Sequence, residues 1–261
     1  MQAEIGIIGG TGVYDPTLLK NVKEIRLRTP YGAPSDAISI GELKGRTIAF
    51  IPRHGRKHTV RPTDINSRAN IYALKKLGVQ RILSPSAVGS LKEEYKPGDT
   101  VIVDQFIDKT TKREESFYTG KQVCHISVAD PMCPQLRGIL IEAAEDMKIS
   151  YHKTGTYVCI EGPRFSTKAE SRMHRSWDAD IIGMTLVPEC VLAREAEICY
   201  ACIATVTDYD VWKDHPVSQE EVAKTMKQNV EKIKTLITET IAALPKIRTC
   251  DCGHALKSAL V

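Results

Sequence analysis

Short apolar runs rich in β-branched residues set the frame of this chain. They fall at 5–8, 47–51, 81–83, 100–103, 157–160, 181–182 and 198–206, and most are bounded by glycine, proline or charge. Runs of that length and composition are expected as buried strands. Between them apolar positions recur at helical spacing, from about 64 to 77 with Gly78 as a stop, from about 134 to 148, and around 188–196. Strands alternating with helices require a mostly parallel or mixed sheet covered on both faces. The last helix is the best defined: Ser218 and Glu221 form a capping-box pattern, and Val222, Met226, Val230, Ile233, Ile237 and Ile241 recur at three- and four-residue steps before Pro245. The expectation is one α/β domain over residues 1–245. A tail, 246–261, carries Cys250, Cys252 and His254 and is expected to pack on or near it.

Composition narrows the function classes. Eight cysteines in 261 residues is roughly 3%, well below the roughly 8–10% of a disulfide scaffold. A net charge of +4, with no basic helix carrying interleaved aromatics, argues against a nucleic-acid partner. No stretch approaches the roughly 18–20 apolar residues that span a bilayer, and Met1-Gln-Ala-Glu-Ile is not the start of a secretory leader. A cytoplasmic protein with no membrane partner is expected.

Three loops attract anions on paper. Gly9-Gly10-Thr11-Gly12 follows the first strand, where glycines turn the chain sharply and present backbone N–H groups. It is not a Walker A loop, and Asp15 stands where a dinucleotide fingerprint needs its third glycine. Arg53-His54-Gly55-Arg56-Lys57-His58 leaves the next strand, with Arg53 offering a two-pronged donor and His54 a hydrogen bond or a charge. Ser84-Pro85-Ser86-Ala87-Val88-Gly89-Ser90 then reads as a loop after a third strand. In open α/β sheets ligands collect at strand carboxyl ends. Further on, Asp208 and Asp210 sit two apart at another strand's exit, so in extended geometry both address one ligand. Each motif alone also fits a plain turn, a solvated basic loop or an Asx turn. No residues nearby complete a metal ligand set, and no metal is expected.

Taken in order, Gly9-Gly10-Thr11-Gly12, Arg53-His54-Gly55, Ser86-Ala87-Val88-Gly89-Ser90, Glu161-Gly162-Pro163-Arg164-Phe165-Ser166, Gly183-Met184-Thr185-Leu186-Val187-Pro188-Glu189 and Thr207-Asp208-Tyr209-Asp210 form one pattern. The chain resembles the trimeric purine nucleoside phosphorylases, in their methylthioadenosine phosphorylase branch, from about Ile5 to the final helix. That resemblance implies a twisted mixed sheet curling toward a barrel, flanked by helices. It implies phosphorolysis of 5′-methylthioadenosine to adenine and 5-methylthioribose 1-phosphate, with inorganic phosphate as co-substrate and no cofactor.

By the same resemblance, phosphate is held by Thr11, Arg53, His54, Ser86 with the Ala87 backbone, and Thr185. Met184 packs by the ribose and Phe165 lies along the purine. Asp208 donates a proton to purine N7, Ser166 helps to fix that acid, and Asp210 organises the amino group. His125 reaches a neighbouring subunit's site in a trimer or a dimer of trimers. Cys250-Asp251-Cys252 resembles a tail feature of archaeal and thermophilic relatives, where such cysteines can be oxidised. With His254 they would make only half a metal site; the other six cysteines read as small buried side chains, of which some could pair. A methylthioinosine phosphorylase or a broad purine nucleoside phosphorylase is the runner-up, ahead of a hydrolytic nucleosidase or a non-catalytic nucleoside-binding protein. The larger polar residue that some relatives carry at Gly183 bears on that choice.

Overall fold

The computed structural model describes residues 2–10, 18–213 and 217–261. Among them, eleven strands form one mixed sheet that does not close on itself. Its path runs β2 (Lys20–Ile25), β3 (Ile38–Leu43), β4 (Arg46–Pro52), β1 (Ile5–Gly9), β5 (Arg81–Ser90), β10 (Ile181–Gly183), β9 (Thr156–Ile160) and β7 (Gln105–Lys109). A branch leaves β5 through β11 (Cys199–Asp208) to β6 (Thr100–Ile102) and β8 (Tyr151–His152).

Period-two alternation divides the central strands between two cores. Along β11, Cys199, Ala201 and Ile203 enter one apolar cluster while Tyr200, Cys202, Ala204 and Val206 enter the other. The first cluster is covered by α2 (Pro134–Asp146) and α5 (Gln219–Ala243), through Leu136, Leu140, Ile233, Leu236 and Ile237. The second is covered by α1 (Ser67–Lys76) and α4 (Leu186–Glu195), through Ile71, Leu74, Leu192 and Ala193. The sheet is thus covered on both faces, and every β11 residue is buried.

Local capping explains where the helices begin. Asn66 accepts from the Ala69 amide at the head of α1, and Ser218 Oγ accepts from the Glu221 amide at 3.1 Å at the head of α5. Two elements depart from expectation. α3 (Lys168–Ser176) has a full Thr167/Glu170 capping box but buries only Ser171 and His174, so it has no apolar stripe to mark it. The stretch 84–90 is no loop, because β5 continues unbroken through Pro85 to Ser90.

The long β5 is what creates a site. On one edge it pairs in parallel with β11 throughout, with Ser86 opposite Ala204 and Gly89 opposite Asp208 after a one-residue bulge at Thr207. On its other edge it pairs with β1 only over Arg81–Leu83 and with β10 only at Gly89 and Ser90. Residues 84–88 therefore face no strand on that side, and the two neighbours diverge around a gap. Crevices of this kind, at a topological switch point, are where open α/β sheets hold ligands.

After α5 the tail makes a 3-10 turn at Asp251–His254 that buries Cys252. It ends beside the 123–125 segment, where Cys124 bridges Leu260 and the His125 amide donates to Ala259 O at 2.7 Å. No helix among the described residues is long and apolar enough to cross a membrane.

Candidate active site

A cleft of roughly 300 Å³ occupies the gap beside β5. Gly10, Arg53, His54, Ser86, Ala87 and Thr185 line one end; Ser166, Asp208 and Asp210 line the other; Val88, Phe165, Ile182 and Met184 form apolar walls between them. Of the phosphate- and substrate-binding residues that the resemblance implies, the cleft thus brings together all except two. Thr11 lies outside the described residues. His125 is exposed and away from this cleft.

Arg53 leaves β4 and is 1% exposed. A guanidinium has five N–H donors. Nε donates to Glu189 Oε2 at 2.8 Å, Nη2 to Glu189 Oε1 at 3.0 Å, Ser84 Oγ at 2.6 Å and Ile8 O at 3.0 Å, and Nη1 to Pro85 O at 3.1 Å. Burial opposes the charged form, but the Glu189 carboxylate outweighs it and holds the guanidinium above its ordinary pKa. The expected two-pronged grip on phosphate is corrected here: the fork clasps Glu189, and one Nη1–H remains for an anion. Glycine at position 10 is required by this packing, since a Cβ there would stand 2.9 Å from Nη1 and 3.1 Å from Pro85 O.

His54 points its Nδ1 at Val60 O, 2.9 Å away. A carbonyl can only accept, so Nδ1 carries the proton and Nε2 a lone pair. Burial, joined by the Arg53 and His58 charges, lowers its pKa to about 4. The ring is therefore neutral near pH 7 and accepts through Nε2; it supplies no positive charge of its own. Ser86 Oγ lies 3.2 Å from Thr185 Oγ1 and 3.5 Å from the buried Tyr157 hydroxyl, which also accepts from the Thr185 amide at 3.4 Å. Thr185 stands just before α4, whose regular turns begin only after Val187, a non-helical residue with φ −100° and ψ 132°.

The acid end is arranged differently. Asp208 Oδ1 accepts from the Asp210 amide at 2.8 Å, and Oδ2 lies 2.6 Å from Thr207 Oγ1, which is also 3.1 Å from Val88 O. A hydroxyl has one proton. Given to Asp208 Oδ2 it serves the ionised carboxylate; given to Val88 O it lets a protonated Asp208 donate to Thr207, so the site accommodates both forms of the acid. Burial pushes the Asp208 pKa up to about 6, against the lowering effect of the Thr207 and Asp210 hydrogen bonds, which brings the protonated form within reach at mildly acidic pH. Burial also raises Asp210, whose φ of +49° places it in the left-handed region as the chain turns out of β11.

Ser166 Oγ and Asp210 Oδ2 are buried without a hydrogen-bond partner among the described residues. Ser171 stands close enough to Asp210 to favour its ionised form without reaching hydrogen-bond geometry. The resemblance implies that Ser166 helps to fix Asp208; here Thr207 and the Asp210 amide hold that acid, and Ser166 Oγ makes no hydrogen bond to it.

Three contributors went unnoticed in the sequence. Glu189, at the end of a quoted motif, is the buried counter-charge of Arg53 and also accepts from Ser84 and Tyr200, at 2.6 and 2.7 Å. Arg113 donates to Met184 O at 2.7 Å and Glu161 O at 2.7 Å, fixing the backbone under one apolar wall. Tyr157 fills the space at Gly183, where a Cβ would fall 2.0 Å from its hydroxyl, so this chain has no room for a larger residue there unless Tyr157 moves. Long-range partners of this kind leave no local spacing to read.

Comparisons with known proteins agree with this geometry. The sequence pattern of the phosphorylase superfamily matches residues 4–242. An S-methyl-5′-thioadenosine phosphorylase of Nitrosopumilus maritimus is 59% identical, covering 99% of this chain and 98% of its own. One of Pyrococcus furiosus is 55% identical, covering 99% of each. Among solved structures, a methylthioadenosine phosphorylase from an antarctic soil metagenomic library superposes with a TM-score of 0.94 at 47% identity, over 100% of this chain and 93% of its own. The Schistosoma mansoni methylthioadenosine phosphorylase in complex with adenine gives 0.93 at 38% identity, over 98% and 97%.

Proposed function

We infer the chemistry of the cleft from the premise that this chain belongs to the phosphorylase superfamily. It is a pentosyltransferase that splits S-methyl-5′-thioadenosine with phosphate, giving adenine and 5-methylthioribose 1-phosphate. The observation that carries the reading is a single cleft with an anion corner at one end, a raised-pKa carboxyl at the other, and apolar walls between.

Phosphate sits in the corner formed by Arg53 Nη1, Ser86, the Ala87 backbone and Thr185, with Thr11 as a further ligand. A phosphate P–OH donates to His54 Nε2, which suits the neutral ring. As the C1′–N9 bond breaks, its electron pair passes to the purine and positive charge grows on the sugar; the phosphate beneath both stabilises that charge and forms the new C1′–O bond with inversion. Asp208 gives its proton to purine N7 and recovers one as phosphate's own proton is released, so the protons balance. Asp210 Oδ2 and Ser166 Oγ, both without partners, suit the exocyclic amine and a ring nitrogen of adenine. Phe165 and Met184 cover the base and the ribose.

The active species is a homotrimer or a dimer of trimers in which His125 completes a neighbour's site at the 5′ end. Support for this comes from His125 being exposed outside its own chain's cleft while its backbone is clamped to the tail at Ala259.

The test is a nucleoside panel assayed with and without phosphate. Adenine release from methylthioadenosine only when phosphate is present is expected. Release without phosphate points to a nucleosidase, preference for methylthioinosine or inosine points to the runner-up, and binding with no turnover removes the enzyme reading.

A further inference from the structure

Four cysteines from three distant stretches meet on the face of the sheet covered by α2 and α5. Cys133 is the N-cap of α2, Cys199 opens β11, and Cys250 and Cys252 belong to the tail. Their sulfurs all lie within 4.8 Å of one another. Cys199 and Cys250 approach to 3.3 Å, Cys133 and Cys250 to 3.6 Å, and all eight cysteines of the chain are free thiols. None of the four lines the cleft.

We propose that Cys133, Cys199, Cys250 and Cys252 form a structural tetrathiolate site for one zinc ion that ties the tail to the domain. Zinc bound by four thiolates is tetrahedral with Zn–S of about 2.3 Å, which puts the sulfurs about 3.8 Å apart. The separations, from 3.3 Å up to no more than 4.8 Å, all lie within about 1 Å of that value, so an ion fits with side-chain adjustments of that order. Four sulfur donors with no oxygen or nitrogen select a thiophilic ion over magnesium or calcium. Three of the four are buried and Cys250 is half-buried, leaving no open coordination position for a substrate.

Binding is an exchange without oxidation: four thiols release four protons to solvent and four S–Zn bonds form, leaving a site of charge −2. The surroundings answer that charge. The Leu136 amide donates to Cys133 Sγ at 3.4 Å and Arg248 Nη1 to Cys199 Sγ at 3.9 Å, while Arg81 is within electrostatic reach of Cys199 and Cys250. Donors of this outer kind orient and stabilise metal-bound thiolates. The expectation of no metal came from seeing only Cys250, Cys252 and His254, an incomplete set. Folding completes the set not with His254 but with Cys133 and Cys199, which lie 117 and 51 residues upstream of Cys250.

The test uses the full-length protein, purified anaerobically without chelator. About one zinc per chain by elemental analysis is expected, with release on mercurial titration of the thiols. Refolding with Co(II) should give the visible spectrum of a tetrahedral thiolate complex. Cys250→Ser should lose the metal, and Arg248→Ala, which keeps all four ligands, should weaken metal affinity by about 10–100-fold. If Cys250→Ser does not fold, the Co(II) spectrum of the unaltered chain decides alone. Four alkylatable thiols with no metal after dialysis against zinc, or any disulfide among the four in anaerobically handled protein, would overturn the proposal.

Discussion

At the Arg53 end of the cleft almost every polar atom already has a protein partner, whereas at the Asp208 end Ser166 Oγ and Asp210 Oδ2 have none. The first end is an assembled electrostatic field. Its cation is held by Glu189 before any ligand arrives, so little reorganisation accompanies anion binding. The second end is unfinished, and the ligand itself must satisfy it. An orphaned buried polar atom costs about 1–3 kcal/mol, so a base that supplies the missing hydrogen bonds is favoured over one that does not. Charge at one end and selectivity at the other is what this asymmetry teaches.

The contrast can be broken most sharply at Asp208. Asp208→Ala should lower kcat by about 10²–10⁴ while leaving the KM for phosphate nearly unchanged; steady-state kinetics with each substrate varied would show it, and near-normal turnover would remove the acid from the mechanism. Glu189→Gln attacks the assembled end. Uncoupling a buried ion pair should destabilise the fold by about 3–5 kcal/mol, lowering the melting temperature and raising the KM for phosphate far more than that for the nucleoside.

The pH dependence sharpens the comparison further. Asp208 must be protonated to donate, so kcat/KM should decline as pH rises through about 6, approaching tenfold per pH unit for a single proton, and Asp208→Asn should flatten that limb. The sign for stability is the same, because a carboxyl raised above its unfolded value favours the folded state at low pH and loses that contribution as pH climbs through about 6. His54 should contribute no ionisation between pH 6 and 8, its pKa lying near 4. The smallest effect belongs to Ser166→Ala: deleting an unpaired hydroxyl should leave the melting temperature level or slightly higher, and raise the nucleoside KM by about 1 kcal/mol, roughly fivefold.

Legibility in the sequence followed local physics. β1 and β11 are fully buried apolar strands, and α5 has a cap and a long stripe, so each announces itself. β2 is almost wholly exposed and exists through its pairing with β3, leaving no pattern to find. α3 carried its capping box in plain sight, but without an apolar face its signal was overlooked. In the site, the lining residues were legible because glycines, Arg53 and the paired acids cluster in short motifs at strand ends. The redirected Arg53 fork and the converging thiols were not, since each depends on a partner tens of residues away, and the orphaned Ser166 was not, since a missing partner shows only once the chain is folded.

The bulged pairing of β11 with β5 has a last consequence, for size. Ser86 and the position opposite Asp208 are three residues apart on one strand, roughly 10 Å at about 3.3 Å per residue. Backbone pairing therefore acts as a fixed gauge between the two chemical ends, and no rotamer change can lengthen it. Evolution could exchange the side chains at either end for new leaving groups, but a longer or shorter substrate would demand an insertion or deletion in the ladder itself.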